Sequence, residues 1–170
     1  MHQNKNMILA KKVIEREIKS GNIKISPFSK KNLGPASYDL SVGNEFRVFN
    51  SFNKKNQYNF IKLTRKIKTN SIVLKPNEFI LGITNENIKL SDNLCAWLTG
   101  RSSFARLGLI IDTTAPFIQP GVNNKQVFEL KNVSPNPIVI KKGMKIAQII
   151  FQRMEGKAKY KGKYKKQKNI

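Results

Sequence analysis

The 170-residue chain contains few of the side chains that bind metals or form crosslinks, with one cysteine, Cys95, and one histidine, His2. A catalytic zinc needs a set of His and Cys ligands, so this composition excludes zinc catalysis, and no metal-binding residues are predicted. A single cysteine also excludes an internal disulfide framework. Cys95 stands beside Ala96, Trp97 and Leu98 and is interpreted as a small buried apolar residue.

Long apolar runs are also missing. No stretch approaches the roughly 20 apolar residues that a membrane-spanning helix needs. Met1 is followed by five polar residues, 2–6, which lead into an amphipathic segment, and this pattern is unlike a secretory signal peptide. We therefore expect a cytoplasmic protein with a single domain over residues 1–170, long enough to bury a core without disulfides or metal.

Acidic residues are scarce: the chain has 10 Asp and Glu and 32 Lys and Arg, which give a net charge of +22. Residues 152–170 form a basic tail in which lysines alternate with Tyr160 and Tyr164, a pattern that would suit a nucleic-acid arm. Charge is only the first criterion for such an arm, and lysine is abundant throughout the chain together with asparagine and isoleucine. A compositional bias is the preferred interpretation, and no nucleic-acid partner is expected.

The hydrophobic pattern predicts a mainly β protein with one N-terminal helix. Apolar residues recur at near-helical spacing from Ile8 to Ile18, and Gly21 follows as a stop. Short β-rich runs separated by turn residues then follow, which is typical of a sandwich or barrel. These runs are 71–74, 79–84, 94–98, 109–113, 126–130, 137–140 and 146–151.

The stretch from Gly100 to Leu109 places two arginines and two serines between two glycines. Arginine presents a planar fork of donors to phosphate oxygens, serine adds short donors, and glycine permits close approach of the backbone. This combination indicates a clamp for an oxyanion such as a triphosphate. An isolated segment of this kind is also compatible with a solvated loop whose arginines form weak ion pairs.

Downstream, Glu129 is a single acidic residue in the strand-like run Val127 to Asn132. Burial raises the pKa of a carboxyl toward neutrality, as a group that takes and returns protons requires. Glu129 is therefore a candidate acid–base residue. A glutamate on the solvent face of a half-buried strand is the simpler alternative.

Ordered motifs along nearly the whole chain resemble the dCTP deaminase family of the trimeric dUTPase superfamily. They are Met7-Ile8-Leu9 at the opening of the helix, Ile25 to Phe28, Gly34 to Leu40, Gly43 to Phe49, Leu74 to Phe79, Gly100 to Leu109, Thr114-Ala115, Pro120-Gly121, Glu129, Gly143 to Gln148, and Lys163-Tyr164 with Gln167. The resemblance implies a distorted β-barrel of dUTPase-like type, assembled as a homotrimer with sites between subunits.

The same resemblance implies hydrolytic deamination of dCTP to dUTP and ammonia without a protein-bound catalytic metal, Mg²⁺ arriving with the triphosphate. Glu129 would take a proton from water held near Ser102 and Ala115 and return protons to the departing ammonia, with Arg106 supporting the site. The residues implied in substrate binding are Arg101, Ser102, Ser103, Phe104, Ala105, Arg106, Ala115, Gln119, Val127, Phe128, Gln148, Tyr160, Lys163 and Gln167. The tail would close over the phosphates.

Two positions depart from the family pattern. Gln119 stands where relatives often have aspartate, and an amide can accept a hydrogen bond but cannot act as a base. This substitution predicts a monofunctional deaminase that stops at dUTP. A bifunctional enzyme giving dUMP, or a catalytically weak nucleotide- or nucleic-acid-binding relative, are the alternatives. Phe117 replaces an arginine found in some relatives and is interpreted as a packing residue.

Overall fold

The computed structural model describes residues 7–51, 58–112 and 114–170. His2 lies outside them, as does the last residue of the strand predicted over 109–113. The helices are α1 (Lys11–Lys19) and the single turns α2 (Phe60–Leu63) and α3 (Ser102–Ala105). The strands are β1 (Ile23–Ser26), β2 (Tyr38–Phe49), β3 (Thr64–Lys68), β4 (Ser71–Leu74), β5 (Phe79–Leu90), β6 (Leu94–Gly100), β7 (Leu109–Ile110), β8 (Phe117–Ile118), β9 (Asn123–Asn132), β10 (Ile138–Lys141) and β11 (Lys145–Arg153). The predicted class, mainly β with one N-terminal helix, is confirmed.

Nine strands form one curled antiparallel sheet. Its order is β7-β9-β5-β2-β11-β6-β8, with β1 pairing with β5 and β3 pairing with β2, while β4 and β10 form a separate ribbon. The register shifts between Val42 and Phe46 where β2 pairs with β5, and between Ile83 and Asn87 where β5 pairs with β9. Such irregularities bend a strand and increase its twist, so the sheet can wrap around its own core.

The concave side of this sheet carries the core. Strands alternate between buried and more exposed positions, as in β9, where Phe128 and Leu130 are fully buried and Val127 and Glu129 are half-buried. Side chains from the central strands fill the interior, including Tyr38, Phe46, Ile80 and Phe151. This alternation decides which residues of β9 can reach a ligand.

The N-terminal helix is smaller than its sequence pattern suggested. Leu9 is buried and its amide bonds to the Phe151 carbonyl, whereas Ile8 forms a β-bridge with Gln152. The helix therefore begins at Lys11, so Met7-Ile8-Leu9 precedes it and does not open it. Several strands are longer than predicted, because the polar residues at their ends still take part in backbone pairing.

A buried ion pair fixes α1 against the sheet. Glu17 is 6 % exposed, accepts a hydrogen bond from Asn22 (2.7 Å) and pairs with Arg153 of β11. Burial alone raises the pKa of Glu17, but the hydrogen bonds from Asn22 and Arg153 and the charge of Arg153 outweigh burial and hold this pKa below its usual value. The stability that the pair contributes is therefore present above the ordinary glutamate pKa and is lost as pH falls through the lowered value.

We expect Glu17→Gln to lower the free energy of unfolding by about 1–3 kcal/mol at pH 7, because Arg153 loses its charged partner. The loss should shrink below about pH 4, where the glutamate is protonated in the unfolded chain. Urea denaturation at both pH values measures the difference, with Glu15→Gln on the same helix as the control. An equal loss at both pH values would show that the charge of Glu17 is not its cause.

Candidate functional site

Glu129 lies in the wall of a cavity of about 370 Å³ formed by β5, β8, β9 and the C-terminal tail. The tail contributes to this wall through Tyr160, Tyr164, Gln167 and Ile170. Six residues predicted from the sequence line it together: Ala115, Gln119, Val127, Glu129, Tyr160 and Gln167. They come from separate parts of the chain, and the cavity is open enough to admit a small molecule.

The carboxylate of Glu129 is held by Thr114. The Thr114 amide donates to Oε2 of Glu129 at 2.8 Å, and the Thr114 hydroxyl donates to Oε1 at 2.9 Å. The Glu129 amide in turn donates to the Ile111 carbonyl at 2.9 Å, so the segment around residues 111–114 is bonded to Glu129 at its backbone and at its side chain. These bonds orient a carboxylate at the cavity wall, as acid–base chemistry requires.

Phe128 is a correction to the predicted set. Its side chain is fully buried in the core and does not line the cavity. Successive side chains of a strand point to opposite faces, so if Val127 and Glu129 face the cavity, Phe128 must face the core. Of the run 127–129, Val127 and Glu129 therefore line the cavity, and the Phe128 side chain packs in the core of this chain.

The arginine-serine segment forms α3 and the turn after it. Nε of Arg101 pairs with Asp39 at 3.4 Å, and the Arg101 guanidinium donates to the Lys145 carbonyl at 2.8 Å. Gly108 ends the turn with φ +81°, and a Cβ there would lie 2.7 Å from Cβ of Ser134. This position therefore requires glycine, which directs the chain into β7.

The predicted clamp does not meet the Glu129 cavity within one chain. Ser102, Ser103 and Arg106 are exposed, and Phe104, Ala105 and Arg106 line a second cavity with Ser134 and Met144. Among the described residues, none lines both this second cavity and the one that contains Glu129. A single chain therefore presents two separate halves of the predicted site.

Gln148 belongs to the clamp half. It lies opposite Asp39 on β2 and Thr99 on β6, and its amide oxygen accepts a hydrogen bond from the Ser37 hydroxyl at 3.0 Å. The partner of Arg101 is thus the cross-strand neighbour of Gln148. Asp39 thus links Arg101 to Gln148, at the place where β11 lies between β2 and β6.

The tail lies along the Glu129 cavity. The Tyr160 amide donates to the Pro120 carbonyl at 2.9 Å, and the Gln167 carbonyl accepts from the Lys125 amide at 2.8 Å. Nζ of Lys163 lies 5.6 Å from the centre of the Tyr164 ring, and Lys163 is not among the lining residues. Of the three predicted tail contacts, Tyr160 and Gln167 face the cavity, and Lys163 lies beside it.

Three residues near the two halves were not predicted to act there: Asp39, Asp112 and Thr114. Thr114 belongs to the motif Thr114-Ala115, and its hydroxyl group, a hydrogen-bond donor, could have identified it as a candidate site residue. Asp39 and Asp112 are two of only ten acidic residues: Asp39 belongs to the motif Gly34 to Leu40, and Asp112 stands two residues before Thr114-Ala115. Asp112 accepts a local hydrogen bond from Ala115, whereas Arg101, the partner of Asp39, is distant in the chain and becomes its neighbour only in the fold.

Within residues 7–51, 58–112 and 114–170, no group of three or more His, Cys, Asp and Glu side chains is placed to hold a metal ion. The helices in these ranges are all too short or too polar to cross a membrane.

Comparison with known proteins identifies relatives for almost the whole chain. Residues 8–154 match the family model described as dCTP deaminase-like. A protein of Beutenbergia cavernae is 37 % identical over 158 residues, covering 89 % of this chain and 82 % of its own, and one of Sulfurihydrogenibium sp. is 36 % identical over 169 residues, covering 95 % and 93 %. Both are named "dCTP deaminase, dUMP-forming".

Solved structures agree on the fold. The 2'-deoxycytidine 5'-triphosphate deaminase of Agrobacterium tumefaciens superposes with a TM-score of 0.69 at 22 % identity, over 88 % of this chain and 49 % of that chain. This chain thus spans about half of that structure. The EIAV dUTPase superposes with a TM-score of 0.54 at 19 % identity, over 83 % and 94 %. The predicted dUTPase-like fold is confirmed.

The names of these relatives overturn the prediction that dUTP is the final product, since both are dUMP-forming. That prediction rested on Gln119, whose amide cannot act as a base. Its weakness was the assumption that one position must supply the base for phosphate hydrolysis. Gln119 is not the only polar residue of its cavity, since the carboxylate of Glu129 lines the same wall.

Proposed function

Since the chain belongs to the dCTP deaminase-like family, we propose that it removes the 4-amino group of dCTP and releases dUMP as its final nucleotide product. The observation that carries this proposal is the Glu129 carboxylate, held by two donors of Thr114 at the wall of a cavity. A fixed carboxylate beside an open cavity suits repeated proton transfer to and from a bound base. The substrate would come from the cytoplasmic nucleotide pool.

In the deamination step, Glu129 takes a proton from a water molecule, and the resulting hydroxide attacks C4 of the cytosine ring. Ser102 and Ala115 would hold that water. Glu129 then returns this proton to the amino group, the C4–N4 bond breaks and ammonia leaves, and the proton of the added hydroxyl moves to N3, so that a carbonyl remains at C4. The side chains of Val127 and Gln119 border the base and sugar, since both line the cavity with Glu129.

The second step cleaves the bond between the α- and β-phosphates by attack of water on phosphorus. This attack needs a base for the water and cations for the leaving pyrophosphate. Gln119 cannot be the base, and we assign this role to Glu129, the carboxylate in the same cavity wall, which requires the nucleotide to shift between the two steps so that its α-phosphate comes beside Glu129. Arg101, Ser102, Ser103 and Arg106 would grip the phosphates with Gln148, and Mg²⁺ would accompany the triphosphate as its counter-ion.

We further propose that each site is shared between two subunits of a homotrimer. One subunit would supply the arginine-serine clamp and its neighbour the Glu129 cavity, because one chain keeps these halves in separate cavities. Exposed Ser102, Ser103 and Arg106 then face a partner's nucleotide. The tail, residues 152–170, would close over the same nucleotide through Tyr160, Lys163 and Gln167.

The proposal is tested by incubating the purified protein with dCTP and Mg²⁺ and separating the products by anion exchange. We expect dUMP and pyrophosphate to form with one ammonia for each dCTP consumed. Accumulation of dUTP as the final product would contradict the phosphate step, and unchanged dCTP would contradict the whole assignment. A parallel incubation with dUTP shows whether the second step also acts on an added intermediate.

A further inference from the structure

Asn124 joins the C-terminal tail to β9, the strand that carries Glu129. It is 7 % exposed, and its Nδ2 atom donates a hydrogen bond to the Tyr164 carbonyl at 2.8 Å. The same carbonyl accepts the Gln167 amide at 3.2 Å and so belongs to the turn that precedes Gln167. Asn124, Tyr164 and Gln167 all line the Glu129 cavity. The Asn124 bond therefore fixes the part of the tail that forms the cavity wall.

Gln126 sets the orientation of the Asn124 side chain. Nε2 of Gln126 donates to Oδ1 of Asn124 at 2.6 Å, and an amide nitrogen can donate but cannot accept. Asn124 must therefore turn its oxygen toward Gln126 and its nitrogen toward the Tyr164 carbonyl. The reversed orientation would place two donors together on one side and two oxygens together on the other. Asn124 thus presents a fixed donor to the tail.

An irregularity of the sheet anchors Gln126 in turn. The pairing of β5 with β9 shifts after Ile83, and the Gln126 amide bonds to the Thr84 hydroxyl at 2.9 Å. Thr84 is fully buried, and its hydroxyl donates to the Glu86 carbonyl at 2.7 Å. The position of Asn124 is therefore determined by a series of hydrogen bonds that begins in the core.

A second bond holds the tail beside the first. The Lys125 amide donates to the Gln167 carbonyl at 2.8 Å, so the two bonds flank most of the helical turn Lys163–Lys166. This turn contains three lysines, and its position decides where their charges lie relative to a bound triphosphate. The backbone bond needs no particular side chain at position 125. The other bond depends on the asparagine, which makes Asn124 the sequence-specific part of this attachment.

We propose that Asn124 is a positioning residue that holds the tail on the Glu129 cavity and thereby raises the affinity for the nucleotide. This inference rests on the proposed function, in which Tyr160, Lys163 and Gln167 close over the nucleotide. A tail that is docked for a larger fraction of the time gives tighter binding, because apparent affinity scales with the population of the binding-competent state. Asn124 takes no part in proton transfer, so the chemical step should not depend on it.

The test replaces Asn124 by alanine and, separately, by leucine, which keeps nearly the same volume without a donor. Either variant should raise KM for dCTP about tenfold, because the docked tail loses one hydrogen bond. The value of kcat should stay within about twofold of the wild type. Asn123→Ala is the matched control, because the bond that Asn123 accepts from Asn87 at 2.8 Å joins β9 to β5 and not to the tail. This control should keep the wild-type KM.

Amide hydrogen exchange gives a readout that needs no turnover. The Lys125 amide is bonded to the tail, whereas the Glu129 amide of the same strand is bonded to the Ile111 carbonyl. In both Asn124 variants the protection of the Lys125 amide should fall about tenfold, the same factor as the change in KM. The protection of the Glu129 amide should stay at its wild-type value.

Equal losses of protection at the two amides would show a general opening of the sheet and would overturn the inference. Unchanged protection of the Lys125 amide would overturn it as well, and so would an unchanged KM. A wild type that leaves dCTP unchanged would refute the proposed function, and the exchange of the Lys125 amide would still decide whether Asn124 holds the tail.

Discussion

Replacing Glu129 by glutamine is expected to lower dCTP deamination by about 10²–10⁴-fold while leaving nucleotide binding nearly intact. Glutamine has almost the same volume and keeps a carbonyl oxygen for Thr114, so the cavity wall should hold its shape. It cannot take a proton from water, and so both hydroxide formation and proton return are lost. Ammonia release measures turnover, and calorimetric titration with dCTP measures affinity.

Glu78→Gln is the matched control for this variant. Glu78 accepts a hydrogen bond from the Lys75 amide in the β4–β5 turn and does not line the Glu129 cavity. It should retain wild-type turnover and affinity. Substantial ammonia release by Glu129→Gln would remove Glu129 from the chemistry, whereas a parallel loss of affinity would mean that its charge serves binding as well.

Mixing two inactive variants should restore activity if each site is shared between subunits. Arg106→Ala removes an exposed clamp cation and should lose both binding and turnover, whereas Glu129→Gln removes the acid–base group. In trimers assembled at random from equal amounts, a site is intact when its clamp comes from Glu129→Gln and its carboxylate from Arg106→Ala. About a quarter of the sites meet this condition, so about a quarter of wild-type turnover should return.

The control mixes Glu129→Gln with the double variant Glu129→Gln/Arg106→Ala, which offers no intact carboxylate. That mixture should stay inactive after the same co-refolding or co-expression. No recovery in the first mixture, with mixed trimers verified by mass, would show that clamp and carboxylate belong to one chain.

The predicted strand bounds agree with the structure where the local hydrophobic pattern and the pairing with neighbouring strands favour the same residues. β4 has the bounds that its apolar run predicts, because a short run between turn residues leaves little choice. β2 was not predicted as a strand, although it is among the longest. Its polar residues and the register shift at Gly43 break the alternation, and a Cβ at Gly43 would meet the Ile83 carbonyl at 3.0 Å. Such a constraint exists only once β5 lies beside β2.

The sequence motifs supply candidate site residues but not their arrangement in space. Motifs identified Glu129 and the arginine-serine segment, yet no local pattern shows that one chain holds them in different cavities. Phe128 could have been excluded by strand alternation once Glu129 was assigned to the cavity. Asp112 could not be found in this way, because its neighbours Ile111 and Thr114 meet Glu129 only through hydrogen bonds that span 18 and 15 residues between a loop and β9.

The C-terminal tail also covers an edge of the sheet that could otherwise promote aggregation at high protein concentration. β9 pairs with β7 only near residues 131 and 132, so its first half would otherwise offer unpaired backbone groups at a sheet edge. There the Gln167 carbonyl accepts a hydrogen bond from the Lys125 amide, and the Tyr164 carbonyl accepts one from the side-chain amide of Asn124. An open edge can pair with another chain, so the tail beside the Glu129 cavity also protects the protein against aggregation through strand addition.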